Sequence, residues 1–242
     1  SNFGKTIQVS TFGASHGYAI GGIVEGLPCG HSIDIDELQA FLKRRAPGQN
    51  QLQTQRKEAD IPEFLSGMVD GMLSGSPLAF MIRNTSQHSG DYNNLRDIPR
   101  PSHADFTARM RYGDKVDMRG GGHFSARLTA PLCVAGGIAL QLLREKGIEI
   151  HGHLKQVGTI QDTPIDMVHP DMKALREIAT EPIAMLDADK RSEVENLVMK
   201  LKKDGDSTGG IVEVVATGLP IGLGNPNFDG IENRLARVIF GV

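Results

Sequence analysis

Apolar and polar residues alternate near the start of the chain and then change to a helical spacing. Residues 7–12 alternate as in a half-buried strand, and residues 23–25 continue this character after a glycine pair. From Asp34 onward, apolar residues recur every three or four positions, which predicts a helix that ends before Pro47. Asp34 with Glu37 three residues later predicts a capping box at the start of this helix.

The second half of the chain carries a longer apolar segment and then mixed elements. Residues 132–143 are apolar nearly all round, which predicts a buried central helix over about residues 129–146, ended by Gly147. A further helical pattern closes at Gly205, and residues 211–215 predict a strand.

An internal echo links two distant segments. Residues 21–30 read Gly-Gly-Ile-Val-Glu and then Gly-Leu-Pro-Cys-Gly, and residues 209–222 repeat this order, ending in Gly-Leu-Pro-Ile-Gly. A helical pattern follows each copy, from Ile35 and from Ile231. The echo predicts a strand-turn-helix duplication whose second copy breaks off inside its helix. We therefore expect one α+β domain over residues 1–242, truncated at its C-terminal end, with a helical layer sandwiched between antiparallel sheets.

Composition narrows the classes of function. The net charge is −3, tryptophan is absent and only three tyrosines are present, which argues against nucleic-acid binding. No apolar run approaches the roughly 20 residues of a membrane helix, so we expect a cytoplasmic protein without a membrane partner. Basic residues form local clusters, which suit a small anionic ligand or a solvated basic face.

Two histidines lie in short segments pinned by glycine or proline, where catalytic residues tend to occur. His16 lies in the sequence Gly-Ala-Ser-His-Gly, where an imidazole could give a proton to a departing group, or could simply hydrogen-bond to the turn. His103 follows Arg100 and precedes Asp105, which places a cation and a titratable acid together. The alternative to a catalytic role is that Asp105 only forms an ion pair with an arginine on the surface.

Three consecutive glycines, at 120–122, are followed by His123, Ser125 and Arg127 and by the start of the apolar helix. Successive glycine amides and a helix start predict an anion cradle, to which an arginine can add a bidentate hydrogen bond. Glycine-rich loops are also common as structural turns, and this alternative stays open.

The histidines give little support to a metal site. His16, His103 and His123 show no short ligand spacing, although His151 and His153 share one face of a predicted strand. We predict no metal, and a histidine-metal hydrolase is the weaker alternative.

Several different short motifs are spread along the chain, at residues 11–17, 25–28, 44–48, 55–58, 84–85, 91–92, 100–105 and 120–129. Together and in this order they resemble the chorismate synthase family over essentially the whole chain. The resemblance implies a carbon–oxygen lyase acting on phosphates, in the shikimate pathway of aromatic amino acid biosynthesis. The family converts 5-enolpyruvylshikimate 3-phosphate to chorismate and phosphate by a 1,4-elimination that needs reduced FMN (FMNH2). NADPH as a reductant of the flavin and a homotetramer are also implied.

The same resemblance implies roles for residues that match family motifs. His16 matches the acid that protonates the leaving phosphate, and His103 matches the residue that keeps the reduced flavin suitably protonated. The implied substrate-binding residues are Ser15, Arg45 and Arg100, and the implied cofactor-binding residues are His123, Phe124, Ser125 and Arg127.

The chain also differs from the common family pattern. Ala14 stands where a Glu is usual, Ser102 where a Gly is usual, and Gln51 where a substrate-binding Arg is frequent. Family members continue past the equivalent of Val242, so the resemblance implies a fragment that could be inactive as written. A non-catalytic flavin- or phosphate-binding module is the alternative from a different class.

Overall fold

The structure, a computed structural model, describes residues 1–46, 59–85 and 98–242. Its contacts group these residues into two compact units. The first unit contains the described residues of Ser1–Pro47, Arg56–Leu142 and Gly222–Val242, and the second contains Leu143–Ile221. The expectation of one domain over the whole chain stays a prediction.

The predicted strands and helices form, and the structure contains further elements that the hydrophobic pattern did not predict. In chain order, the strands are β1 (Asn2–Gly4), β2 (Gln8–Gly13), β3 (Ala19–Glu25), β4 (Pro62–Ser66), β5 (Met68–Val69), β6 (Met72–Leu73), β7 (Leu78–Arg83), β8 (Glu149–Val157), β9 (Ile160–Gln161) and β10 (Gly210–Thr217). The helices are α1 (Ile35–Arg45), α2 (Asp105–Tyr112), α3 (Thr129–Arg144), α4 (Met172–Ile178), α5 (Ala188–Asp204) and α6 (Ile231–Ile239). Short 3-10 helices cover Arg119–Phe124, Ala126–Leu128 and Asn227–Asp229.

The first unit is built on a five-stranded antiparallel sheet with the order β1-β2-β3-β7-β4. Alternate residues of β7 point into the core: Leu78, Phe80 and Ile82 are fully buried, whereas the residues between them are partly exposed. Helices α1 and α3 complete this core with the side chains of Leu38, Leu42, Val134, Ile138 and Leu142. Burial of each such aliphatic side chain stabilises the unit by about 1.5–3 kcal/mol.

Helix α3 lies close against α1 at Gly137. A Cβ added at Gly137 would lie 2.5 Å from Cδ1 of Leu38 and 3.1 Å from Cδ1 of Phe41. Among the residues that the structure describes, no atom outside the backbone of the helix itself and the two chain neighbours lies within 4 Å of a Cβ added at the neighbouring Gly136. Of the glycine pair inside the predicted helix, Gly137 alone is therefore needed for close packing.

The predicted capping box of α1 forms on one side only. The Asp34 carboxylate accepts from the backbone N–H of Glu37 at 2.9 Å, as expected for an N-cap. In a full capping box, the Glu37 side chain would accept a hydrogen bond from the Asp34 backbone N–H. Here that N–H donates to Oε1 of Gln141 at 2.9 Å. Gln141 also donates from Nε2 to the Asp34 carbonyl, so a side chain of α3 takes the place expected for Glu37.

The second unit has a three-stranded antiparallel sheet with the order β10-β8-β9. Its core contains Ile183, Met185 and Val194. Helix α5 ends at the predicted position, with Gly205 as its C-cap in the left-handed region at a φ of +68°.

Each copy of the sequence echo forms a strand followed by a helix: β3 and α1 in the first copy, β10 and α6 in the second. Gly26 and Gly218 occupy equivalent places after the two strands, with φ values of +81° and +74°. A Cβ at Gly26 would lie 2.1 Å from the Thr6 carbonyl oxygen, and one at Gly218 would lie 2.0 Å from that of Gly147. The predicted duplication and the α+β class with antiparallel sheets are confirmed.

The segment Ala126–Arg144 is long and apolar enough to cross a membrane by length and composition alone, with a mean hydropathy of 1.5. The expectation that no apolar run approaches this length is therefore wrong. Side chains of this segment belong to the core of the first unit, and 44% of its apolar window is buried inside the protein. A core helix passes the same test, because a helix that is apolar all round is buried either in a protein or in a membrane.

Candidate active site

His16 lies at the centre of a tight turn formed by residues 13–17, here called the histidine turn. The Gly17 backbone N–H donates to the Ala14 carbonyl at 2.9 Å and closes the turn. Ser15 is fully buried, and His16 is 5% exposed. The Ser15 hydroxyl donates to the Gly120 carbonyl at 2.8 Å and lies 3.2 Å from Nδ1 of His16.

The glycines at 120–122, here called the glycine run, lie against both predicted catalytic histidines. Their φ values of +58°, +89° and +55° are all in the left-handed region that glycine tolerates. A Cβ at Gly120 would lie 2.0 Å from Nδ1 of His16, and a Cβ at Gly121 would lie 3.0 Å from Nε2 of His103. The carbonyl of Gly122 accepts from the Ser15 backbone N–H at 3.1 Å. The structure thus brings together three segments that are far apart in sequence.

His103 is held by the ion pair between Asp105 and Arg100. Nδ1 of His103 lies 2.6 Å from Oδ1 of Asp105 and 3.2 Å from NH2 of Arg100. Arg100 donates from Nε and NH2 to the two oxygens of Asp105, at 2.8 and 2.9 Å. These hydrogen bonds from Arg100 hold the pKa of Asp105 well below its usual range. The imidazole is therefore oriented by a carboxylate that stays ionised at neutral pH.

Arg45 and Arg127 share one buried carboxylate. NH1 of Arg45 pairs with one oxygen of Asp60, and NH1 of Arg127 pairs with the other. The Asp60 side chain is fully buried, and that of Arg127 is 4% exposed. The pattern of the sequence did not single out Asp60, which stands alone between a charged segment and a strand. Two cations on one buried anion leave a net positive charge, which suits an anionic ligand beside Arg45.

Asn84 connects this ion-pair cluster to the histidine turn. Its Oδ1 accepts from Nε of Arg127 at 3.3 Å, and its Nδ2 donates to the carbonyls of Ala14 and Gly17. The sequence contains Asn84 in one of the family-like segments, but no local pattern marks it as part of the site.

The segment 123–127 shows mixed accessibility. Nδ1 of His123 donates to the Gly13 carbonyl at 3.0 Å, and its Nε2 lies 3.2 Å from the Ser1 hydroxyl. Ser125 accepts from the Arg127 backbone N–H at 3.3 Å, whereas Phe124 is 41% exposed. Of the four predicted cofactor-binding residues in this segment, Phe124 is the most exposed, and cofactor binding by all four stays a prediction.

Five of the nine predicted site residues fall into two groups within the first unit. His16, His103 and Arg100 lie around the glycine run, whereas Arg45 and Arg127 form ion pairs with Asp60. Gln51 lies outside the described residues. The substrate-binding and catalytic roles stay predictions.

The histidine pair of β8 has a structural environment of its own. His153 is fully buried, with Nδ1 2.8 Å from Asp162 and Nε2 3.1 Å from Glu213. His151 instead lies 3.3 Å from Glu149. Within residues 1–46, 59–85 and 98–242, no group of three or more histidine, cysteine or acidic side chains could hold a metal ion.

Comparison with known proteins gives the family. A family model described as chorismate synthase matches residues 7–242. The chain belongs to the chorismate synthase family. It is 43% identical to chorismate synthase of Lancefieldella parvula over 253 residues, which cover 100% of this chain and 66% of the relative. It is 42% identical to chorismate synthase of Ralstonia nicotianae, covering 100% of this chain and 64% of the relative.

The fold agrees with that of a solved member of the family. A crystal structure of chorismate synthase matches with a TM-score of 0.75 and 25% sequence identity, over 98% of this chain and 66% of that one. The chain thus spans slightly less than two thirds of the length of these two chorismate synthases, 66% of the first and 64% of the second.

Proposed function

We propose that this protein is a chorismate synthase, a lyase that converts 5-enolpyruvylshikimate 3-phosphate to chorismate and phosphate. The reaction breaks the carbon–oxygen bond to phosphate and a ring carbon–hydrogen bond, and forms a new ring double bond without net oxidation. The observation that carries the proposal is the placement of His16 and His103 against one glycine run, with Arg100 beside His103. Family membership and the names of the relatives support it.

His16 is the proposed acid for the leaving phosphate. The Ser15 hydroxyl at Nδ1 and the Gly120 backbone fix the plane of its ring. An imidazole held in this way can donate a proton to an oxygen that develops negative charge, an effect that contributes about 10²–10⁴-fold to a rate. Arg45 and Arg100 supply the positive charge that such an oxygen needs.

His103 and the glycine run fit a planar anionic cofactor. The side chains of His103 and Arg100 remain 26% and 28% exposed, and the space that a Cβ at Gly121 would fill adjoins Nε2 of His103. Reduced FMN, when bound, supplies stabilisation of an electron-poor transition state that side chains cannot provide. His103, oriented by Asp105, would hold or move a proton at the flavin, and Phe124, Ser125, Arg127 and His123 would contact it. NADPH is the proposed source of reducing equivalents.

The proposal extends to the setting of the enzyme. We assign a phosphorylated small molecule as its substrate and a homotetramer as its assembly, in the cytoplasm, without nucleic-acid or membrane partners. The shikimate pathway of aromatic amino acid biosynthesis is the corresponding route.

An anaerobic assay tests the function. The natural full-length protein, supplied with 5-enolpyruvylshikimate 3-phosphate and chemically reduced FMN, is expected to release chorismate and phosphate in equal amounts. Binding of flavin without release of chorismate or phosphate would instead identify a non-catalytic flavin- or phosphate-binding module.

A further inference from the structure

Asn84 lies directly after β7, and its side chain is directed at the histidine turn. Its Nδ2 donates to the Ala14 carbonyl at 3.1 Å and to the Gly17 carbonyl at 2.8 Å. Its backbone N–H donates to the Tyr18 carbonyl at 3.2 Å. Asn84 is 9% exposed, so these hydrogen bonds form in surroundings of low dielectric, where they are stronger than in water.

The chemistry of this position fits an amide. A primary amide carries two N–H donors and one carbonyl acceptor, and Asn84 forms hydrogen bonds with both donors and with the acceptor. Both donors go to the histidine turn, and Oδ1 accepts from Nε of Arg127 at 3.3 Å. A carboxylate of the same shape keeps the contact with Arg127 but has no hydrogen to offer the two carbonyls.

The two carbonyls flank the turn on either side of His16. The opposite side of the turn is fixed by the glycine run, through the bonds from Ser15 to Gly122 and Gly120. The turn that carries His16 is therefore held on one side by Asn84 and on the other by the glycine run.

We infer that Asn84 is a positioning residue that fixes the backbone on both sides of His16 and links it to Arg127. This inference rests on the proposed function, in which His16 delivers a proton to the leaving phosphate. Because a displacement of about 1 Å in a reacting group can cost roughly 10²-fold in rate, loss of these two hydrogen bonds acts on proton delivery without removing any group that touches substrate.

Kinetics provide the first test. Asn84→Asp in the natural full-length enzyme is expected to lower kcat by about tenfold or more, with KM changed by less than about threefold, because positioning acts on the reacting step. Asn84→Ala serves as the second variant, since it introduces no charge. Gln141→Glu is the matched control: it makes the same amide-to-acid change at another buried amide that bonds backbone in the first unit. We expect its kcat to stay within about twofold of wild type.

A chemical probe provides a test that needs no activity. Diethyl pyrocarbonate modifies accessible histidines, and mass spectrometry of peptides locates the modified residue. His16 is expected to react about fivefold faster in Asn84→Asp and Asn84→Ala than in wild type, because local opening exposes it. The buried His153 of the second unit serves as the internal control, since global unfolding would raise both rates.

The two readouts separate the inference from the proposed function. An inactive wild-type enzyme would contradict the proposed function, and the modification rates would still test the role of Asn84. A lowered kcat with equal gains in reactivity at His16 and His153 would show a merely structural role and overturn the inference. Unchanged His16 reactivity in both Asn84 variants would overturn it as well.

Discussion

Gly120 lies so close to His16 that no side chain fits between them: an added Cβ would be 2.0 Å from both Nδ1 and Cε1 of the ring. The ring stands beside the Ser15 hydroxyl, which is itself bonded to the Gly120 carbonyl. Neither side of this contact can give way easily, because Ser15 and His16 are both buried. The predicted anion cradle is therefore also one wall of the pocket that holds the imidazole.

Replacement Gly120→Ala is expected to abolish most activity. The φ of +58° at this position adds backbone strain of roughly 1 kcal/mol to the steric conflict with His16. We expect chorismate formation to fall by about 10²-fold or more, because the imidazole is displaced. Gly136→Ala is the matched control: this helix position has room for a Cβ and should gain about 0.5–1 kcal/mol of stability with normal activity. Near-normal turnover by Gly120→Ala would contradict the placement of the glycine run.

Substitution of either predicted catalytic histidine is expected to leave the fold intact. His16→Ala and His103→Ala should each lower the rate by about 10² or more, with unfolding midpoints close to that of wild type. The exposed His169 offers a control, since His169→Ala should change neither. Steady-state assays with reduced FMN and urea unfolding make the comparison, and unchanged turnover in both site variants would remove these residues from catalysis.

Local patterns in the sequence predicted some of the elements and only part of the site. The alternation in β2 and the apolar face of α1 reflect contacts that repeat every two or about four residues, so periodicity detects them. Asp60 differs, because its partners Arg45 and Arg127 are 15 and 67 residues away. No periodic pattern encodes a contact at that separation.

Asn84 shows the same limit. Its bonds to the histidine turn span 67 to 70 residues, and only the tertiary fold brings the two segments together. By contrast, Arg100, His103 and Asp105 lie within six consecutive residues that lead into α2, and their grouping was open to prediction from their order.

Ser102 adopts a conformation that suits glycine better than serine. Its φ of +57°, directly before His103, lies in the left-handed region. This conformation costs an L residue roughly 1–2 kcal/mol, whereas glycine loses about 0.5–1 kcal/mol through its freedom in the unfolded chain. Ser102→Gly is therefore expected to raise the free energy of unfolding by about 0.5–1 kcal/mol. Ser192→Gly, inside α5, should lower it by about 0.5 kcal/mol, and a destabilised Ser102→Gly protein would show that the left-handed serine is not strained.

The ion pair of Asp105 with Arg100 predicts a pH-dependent stability. Arg100 lowers the pKa of Asp105 in the folded protein, so the carboxylate stabilises the fold fully above its unfolded pKa of about 3.9. This contribution is lost as the pH falls from there through the lower folded pKa. Arg100→Gln removes the main cause of the shift and is expected to cost about 1.5–3 kcal/mol at pH 7.

The difference in unfolding free energy between wild type and Arg100→Gln should accordingly narrow as the pH drops below about 4. The Asp105 carboxyl of the unfolded chain then takes up a proton, whereas folded wild type keeps this carboxyl ionised until the pH reaches its lower folded pKa. Urea unfolding at a series of pH values measures it. Arg83→Gln is the control, because Arg83 and Glu63 form an exposed pair at 2.5 Å whose loss should cost less than about 1 kcal/mol. A wild-type advantage over Arg100→Gln that stayed constant from pH 7 to the acid limit would show that Arg100 stabilises the loop by packing rather than through the charge of Asp105.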